Sequence, residues 1–170
     1  MPVEGKDLDG VISSKEALEL NRIPQSMVII GGGVIGVEMA FIYNALGTKV
    51  KIIEMMPQLL PKQDKEIVDL FTKELRKQGI DICTNSKVKS IEKTAEGLKL
   101  NYETSEGIKI VEAELVLMAV GRTPQTDLLG DFPLAVNKTG IFVDDYLRSR
   151  GCYRKEHVGP CSIPSRDYCG

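Results

Sequence analysis

The feature that most constrains this chain is the glycine-rich turn Gly31-x-Gly33-x-x-Gly36. The apolar run Ser26 to Ile30 leads into the turn, and a helical pattern begins directly after it. In such a turn one glycine permits the tight bend, one lets the backbone approach a pyrophosphate, and one lets helix and strand pack closely. The helix amides then face the phosphates. The predicted dinucleotide-binding loop consists of Gly31, Gly32, Gly33, Val34, Ile35 and Gly36.

A carboxylate follows the turn at the spacing expected of a ribose ligand. Glu54 lies eighteen residues after Gly36, at the end of the predicted strand Lys49 to Glu54. It can accept hydrogen bonds from both hydroxyls of an adenosine ribose, whereas a 2′-phosphate would meet like charge with no arginine nearby to compensate. The residues therefore favour NAD over NADP. The alternative is a glycine turn followed by a solvated glutamate that binds nothing.

Glu38 has two interpretations that the residues alone leave open. It lies two residues after Gly36, so we expect it in the first turn of the helix, where the positive end of the helix dipole stabilises a carboxylate without any ligand. Its position beside the predicted nucleotide also makes it a candidate for contact with the nicotinamide end.

The rest of the pattern alternates strands and helices. Ser13 and Glu16 have the spacing of a capping box before a short helix, and an amphipathic helix is predicted from Asp64, its N-cap, to Gly79. The apolar residues of that helix are Ile67, Leu70, Phe71 and Leu75. The pattern predicts three further strands that form an antiparallel meander, at Lys87 to Lys93, Leu98 to Tyr102 and Ile108 to Val111. The predicted fold is α/β, a small Rossmann-like doubly wound parallel sheet with the β-meander as a crossover.

Charge and hydropathy exclude two classes of partner. The chain has 22 basic and 24 acidic side chains without a basic stripe, which argues against nucleic acid, because such binding depends on clustered Lys and Arg. The longest apolar runs, Met27 to Ile30 and Leu115 to Val120, are far shorter than the ~20 residues that span a bilayer. Polar sequence follows Met1 where a signal peptide would have an apolar core. We therefore expect a soluble, cytoplasmic protein with no nucleic-acid and no membrane partner.

Separated blocks of the sequence together resemble a known family. They are Ile23 to Glu38, Glu54, Pro61 and Ala119 to Pro124. This set resembles the NAD-binding domain of the flavoprotein pyridine nucleotide-disulfide oxidoreductases, above all the dihydrolipoamide dehydrogenases. The similarity runs from about Gly5 to Arg148.

The resemblance implies roles for individual residues. The glycine loop would hold the pyrophosphate, Glu38 would lie near the nicotinamide, and Glu54 would bind the ribose. The other implied positions are Val88 beside the adenine, Gly121 closing over the nucleotide, and Arg122 and Pro124 in a Gly-Arg-x-Pro motif.

The resemblance also implies what the chain does not do by itself. In such enzymes hydride passes between the nicotinamide and a flavin, and the flavin exchanges electrons with a cysteine pair. The sequence contains no Cys-x-x-x-x-Cys pair. The chain is therefore expected to be an NAD(H)-binding domain of a dihydrolipoamide dehydrogenase-like enzyme, without catalytic residues of its own. FAD is expected only in the full-length parent, a homodimer for which a place in a 2-oxo acid dehydrogenase complex is one option.

Three alternatives stay open at this point. The chain could be a stand-alone dinucleotide-binding or redox-sensing module, or a domain of an NADH oxidase or a coenzyme A disulfide reductase, or its glycine loop could bind FAD. Cys152, Cys161, Cys169 and His157 contain zinc-binding groups, but no pair among them has the short spacing of structural zinc sites. We therefore expect no metal.

The segment after Arg148 departs from the family pattern. Related chains continue into a flavin-contacting Gly-Asp-Val-Thr-Gly motif, whereas this one has no helical or strand periodicity there. With suitable codons, the frame one base later encodes Asp-Val-Thr-Gly and a family-like continuation, so a frameshift is our hypothesis. The expected segments are a lead-in with a short helix (1–25), the NAD-binding domain (26–148) and an aberrant tail, frameshifted or disordered (149–170).

Overall fold

A five-stranded parallel sheet forms the centre of the structure, a computed structural model that describes residues 3–121, 134–137, 140–143 and 146. The chain divides into two compact units, Met1–Val120 and Gly121–Gly170. In chain order the described elements are β1 (Val11–Ser13), α1 (Ser14–Leu18), β2 (Ser26–Ile30), α2 (Val34–Ala45), β3 (Lys49–Ile53), α3 (Lys65–Lys77), β4 (Asp81–Cys83), β5 (Lys87–Lys93), β6 (Leu98–Thr104), β7 (Gly107–Ala113), β8 (Leu115–Met118), β9 (Val136–Asn137) and β10 (Gly140–Ile141).

The sheet has the strand order β1-β8-β2-β3-β4, and every pairing in it is parallel. Ile29 at its centre lies opposite Ile52 on one side and Leu117 on the other. The chain leaves the sheet after β4, forms the antiparallel meander β5-β6-β7, and returns through β8. This topology confirms the predicted fold class and the predicted meander crossover.

The two faces of the sheet carry separate apolar clusters. Helices α2 and α3 cover one face, where Ala40 and Leu75 pack with Ile29. The meander covers the other face, where Leu100 packs with Ile30. Because successive side chains of a strand point to opposite faces, a strand covered on both sides is expected to be continuously apolar, as β2 is from Met27 to Ile30.

Local signals set the ends of two helices where the sequence predicted them. Ser13 and Glu16 form the capping box of α1. The Asp64 side chain accepts hydrogen bonds from the amides of Glu66 and Ile67 at the start of α3. No helix in the described part of the chain is long and apolar enough to cross a membrane.

Helix α3 has the predicted amphipathic character, but it buries only part of the apolar set that its spacing indicates. Val68 and Leu75 reach the core, whereas Ile67 and Leu70 are 66% and 68% exposed. Phe71 is also partly exposed, at 37%. The spacing therefore indicated Leu75 correctly but not Val68, because the position of the helix over β4 brings the side that contains these two residues onto the sheet.

The first 25 residues belong to the same unit as the sheet. The segment Val11–Ser13 adds strand β1 beside β8, and the side chains of Val3 and Ala17 are buried. In the second unit, β9 and β10 form an antiparallel pair. The predicted tail, 149–170, lies outside the described residues.

Candidate functional site

The glycine turn lies at the carboxyl end of the central strand β2. Gly31 has a φ of +108°, a conformation that side chains with a Cβ rarely adopt. A Cβ on Gly31 would lie 2.7 Å from the carbonyl oxygen of Ala119 at the end of the neighbouring strand. The Gly31 amide donates to the carbonyl of Ile53 on the other side, 2.9 Å away. The first glycine is therefore required by both the bend and its neighbours.

The third glycine of the motif permits close packing of helix α2 on the turn. A Cβ on Gly36 would lie 2.0 Å from the carbonyl oxygen of Gly31. No side chain larger than hydrogen fits between these two backbone segments without a shift. The steric role that the sequence predicts for Gly36 is thus visible in the packing.

The middle glycine, in contrast, faces open space. Gly33 is the N-cap of α2, with a φ of −72°, and a Cβ there would meet no atom within 4 Å. Its lack of a side chain leaves the first amides of the helix without a side-chain cap. Val34 is exposed and Ile35 half-buried at this end. The start of α2 therefore presents uncapped amides to a space into which an anion can approach.

Glu54 follows β3 and points its carboxylate at the glycine turn. Its Oε2 accepts a hydrogen bond from the Gly32 amide at 2.5 Å, and its Oε1 accepts one from the Met56 amide at 2.7 Å. The side chain is 8% exposed and forms no ion pair within the described part of the chain. A carboxylate has about four lone-pair positions, so two remain for further donors.

The backbone around Glu54 is fixed on both sides. Its amide donates to the carbonyl of Cys83 at 2.8 Å, and its carbonyl accepts from the amide of Ser86 at 2.9 Å. The Asn85 amide donates to the carbonyl of Met56 at 3.0 Å. The connection between β4 and β5 therefore supports the segment that carries the acid.

The loop between β3 and α3 packs against the glycine turn. The Leu59 side chain is fully buried, and a Cβ on Gly32 would lie 2.4 Å from its Cδ2. The Leu60 amide donates to the Gly32 carbonyl at 2.8 Å, with Leu60 itself at a φ of +46°. Gly32 is thus held by Glu54 through its amide and by Leu60 through its carbonyl.

Glu38 is not in the first turn of α2, and the prediction that placed it there was wrong. The helix begins at Val34, so Glu38 is its fifth residue, and the first turn contains no acidic side chain. The influence of the helix dipole falls off within that turn. Glu38 is exposed on the helix and lies beyond the turn in which the dipole would stabilise its carboxylate.

The structure describes two of the three remaining predicted binding residues, Val88 and Gly121. Val88 is buried in the core, where its side chain packs with Ile30 and Ile53 under the meander. Gly121 has a φ of +74° and opens the second unit. Arg122 lies outside the described residues.

Both arginines in the described part of the chain have partners other than Glu54. Arg22 pairs with Glu114, and Arg76 donates to the carbonyl of Ile82 at 3.3 Å. In the described ranges no group of three or more His, Cys, Asp and Glu side chains could hold a metal ion. Cys83 is a free thiol at the end of β4, and the other cysteines and His157 lie outside these ranges.

A cavity of about 460 Å³ lies at the opposite edge of the sheet, where β2 and β8 begin. Three carboxylates line it, those of Glu96, Glu112 and Glu114. The hydrogen bonds from Arg22 and the Gln25 amide lower the pKa of Glu114. A phosphate would be repelled by this lining, so the cavity is not an alternative nucleotide site.

Sequence reasoning did not identify the supports of the site. The amide of Met56, the turn at Asn85 and the side chain of Leu59 had no motif to mark them. Pro57 and Pro61 predict a loop at residues 55–61, but nothing in the pattern indicates that this loop packs on Gly32.

Comparison with known proteins shows the family to which this chain is similar. Residues 1–153 match the family model described as pyridine nucleotide-disulphide oxidoreductase. Dihydrolipoamide dehydrogenase from Chaetomium thermophilum is 41% identical over 149 residues, which are 85% of this chain and 29% of that protein. The HOCl-induced flavoprotein disulfide reductase of Escherichia coli matches with a TM-score of 0.76 and 32% identity, over 89% of this chain and 35% of that one.

A water-forming NADH oxidase of Lactobacillus brevis, solved with NADH bound, matches with a TM-score of 0.70 and 28% identity. A variant of it engineered as an NADPH oxidase matches with a TM-score of 0.73 and 26% identity. Each match covers 88% of this chain and 34% of the other. The chain therefore spans about a third of the length of these relatives.

Proposed function

The chain belongs to the pyridine nucleotide-disulphide oxidoreductase family, and we propose that it binds NAD(H) as the nicotinamide-nucleotide domain of a dihydrolipoamide dehydrogenase-like flavoprotein. One observation carries this proposal: the buried Glu54 carboxylate accepts from the Gly32 amide and still has lone pairs to offer. The uncapped start of α2 and this acid are joined in one site, which suits a pyrophosphate and a ribose.

Each part of the nucleotide then has a candidate partner. The amides at Gly33, Val34 and Ile35 would donate to the pyrophosphate, which the open space at Gly33 admits. Glu54 would accept from the ribose hydroxyls. The other proposed contacts are Glu38 near the nicotinamide, Val88 beside the adenine, and Gly121 and Arg122 over the nucleotide. The bound nicotinamide would supply a ring that donates or accepts hydride.

The preference for NAD(H) over NADP(H) has independent support. The engineered NADPH oxidase replaces a glycine by alanine, an aspartate eighteen residues later by alanine, the next two residues by arginine and serine, and a proline seven residues after the aspartate by arginine. At the same spacing this chain has Gly36, Glu54, Met55, Met56 and Pro61. It keeps the glycine, an acid and the proline, and has no arginine at these positions. These residues resemble the NADH oxidase before it was engineered.

The activity of the parent enzyme is part of the proposal. FAD, the redox-active disulfide and the dimer contacts would come from segments that this sequence does not contain, and the chain alone would bind nucleotide without turnover. A dihydrolipoamide substrate and a place in a 2-oxo acid dehydrogenase complex follow from the likeness to dihydrolipoamide dehydrogenase. The likeness to the NADH oxidase makes an NADH oxidase parent the second candidate.

We propose the segment boundaries on the same grounds. Residues 26–148 would form the nucleotide-binding domain, on which the lead-in packs through β1. The family match ends at residue 153, shortly after the point where the sequence departs from the family pattern. Sequencing the gene tests the frameshift hypothesis, since codons incompatible with the second frame would exclude it.

Titration calorimetry with NADH tests the proposed function directly. The variant Gly33→Val adds a side chain at a position whose φ of −72° suits valine, so the fold should persist. We expect the added side chain to fill the pyrophosphate space and weaken NADH binding at least tenfold. Glu112→Val places the same side chain on an exposed position of β7 and should bind NADH like the unmodified chain. Equal affinity of the Gly33→Val variant would contradict the placement of the pyrophosphate.

A further inference from the structure

We propose that Asn85 is a positioning residue that sets the discrimination between NADH and NADPH by holding Glu54 in place. Asn85 is remote in sequence from the glycine turn, and it reaches the site through the connection between β4 and β5. The inference rests on the proposed function, because it concerns the acid that would bind the ribose.

Asn85 adopts a left-handed backbone conformation, with a φ of +49°. In this conformation two successive amides face the segment that carries the acid. The Asn85 amide donates to the Met56 carbonyl at 3.0 Å, and the Ser86 amide donates to the Glu54 carbonyl at 2.9 Å. A change in the Asn85 conformation would therefore move both supports together.

The link to the carboxylate passes through Met56. Its carbonyl is held by Asn85, and its amide donates to Oε1 of Glu54 at 2.7 Å. The position of Met56 thus decides where one carboxylate oxygen lies. The second oxygen is fixed by the Gly32 amide, so the orientation of the carboxyl group depends on both contacts.

The turn around Asn85 is itself well anchored. Ser86 is buried and its hydroxyl donates to the Thr84 carbonyl at 2.9 Å, while the Cys83 carbonyl accepts from the Glu54 amide at 2.8 Å. Left-handed backbone is tolerated by glycine and asparagine far better than by other residues. The residue type at position 85 therefore fits a role that depends on backbone conformation.

Nucleotide selectivity should respond more than overall binding. A displaced carboxylate would lose hydrogen bonds to the ribose hydroxyls of NADH. It would also repel the 2′-phosphate of NADPH less strongly. Both changes lower the ratio of the NADPH and NADH dissociation constants, which a general loss of stability would not do.

The test compares Asn85→Gly with Asn85→Ala in the full chain, by titration with NADH and with NADPH. We expect the ratio of dissociation constants to stay within about twofold in Asn85→Gly, which keeps the left-handed conformation, and to fall about three- to tenfold in Asn85→Ala. Should Asn85→Ala not fold, Asn85→Ser provides the same comparison. Gly107→Ala introduces similar strain in the β6–β7 hairpin, at a φ of +116°, and should leave the ratio unchanged.

Two results would overturn the proposal. An equal fall of the ratio in both Asn85 variants would assign the effect to the Asn85 side chain and not to its backbone conformation. An unchanged ratio in Asn85→Ala would show that position 85 does not influence the choice of nucleotide. Failure of the proposed function is distinguishable from either, because the unmodified chain would then show no preference for NADH.

Discussion

The carboxylate of Glu54 accepts a hydrogen bond from the amide of Gly32, so the end of β3 is bonded directly to the glycine turn that follows β2. Without this contact the Gly32 amide would be buried with no partner in an otherwise apolar turn. Burial of an unpaired amide is unfavourable by about 1–3 kcal/mol. The acid therefore supports the turn as well as presenting lone pairs to a ligand.

Substitution of Gly36 by alanine should destabilise the chain. The new Cβ would lie 2.0 Å from the Gly31 carbonyl oxygen, so the helix must shift away from the turn. We expect a loss of about 1–3 kcal/mol in the free energy of unfolding. Urea denaturation measures it, with Gly33→Ala as the control that should change little because its Cβ meets open space. Equal stability of the two variants would contradict the packing at Gly36.

The buried face of α3 can be tested by a pair of leucines on that helix. Leu75 is 1% exposed and Leu70 is 68% exposed. Leu75→Ala should lower the free energy of unfolding by about 2–5 kcal/mol. Leu70→Ala should stay within about 0.5 kcal/mol of the unmodified chain. A larger loss in Leu70→Ala than in Leu75→Ala would contradict this orientation of the helix.

Glu114 should make the stability depend on pH in the acid range. The hydrogen bonds from Arg22 and the Gln25 amide lower its pKa below the ordinary value of 4.5. A lowered folded-state pKa gives stability that is fully present above pH 4.5 and is lost as the pH falls through the lowered value. Glu114→Gln should therefore flatten the fall in melting temperature below pH 4.5. If the melting temperature of this variant falls with pH as steeply as that of the unmodified chain, Glu114 does not contribute to the acid dependence of stability.

Much of this fold could be predicted because its signals are local. The glycine spacing, the Asp64 cap and the unbroken apolar strands each act within a few residues, and the structure has them where the pattern indicates. The orientation of α3 could not be predicted, since the choice between the faces of Val68 and Leu70 is made by the sheet beneath. The supports of Glu54 come from residues 83–86, about thirty positions further along the chain, and no short motif marks them.

The purified chain should be colourless and should not reduce lipoamide with NADH. Hydride transfer needs an acceptor held within roughly 3–3.5 Å of the nicotinamide, and the sequence contains no Cys-x-x-x-x-Cys pair to relay electrons. An absorption spectrum and a lipoamide assay at matched protein concentration measure both properties. A yellow preparation, or NAD reduction that depends on dihydrolipoamide, would contradict a domain that only binds nucleotide.

The central claim is that Glu54 selects NADH, and parallel titrations of the chain with NADH and NADPH test it most directly. The account predicts tighter binding of NADH to the unmodified chain, and loss of this preference in Glu54→Ala but not in Glu112→Ala, which changes an exposed acid on β7. Equal or tighter binding of NADPH by the unmodified chain would contradict the claim.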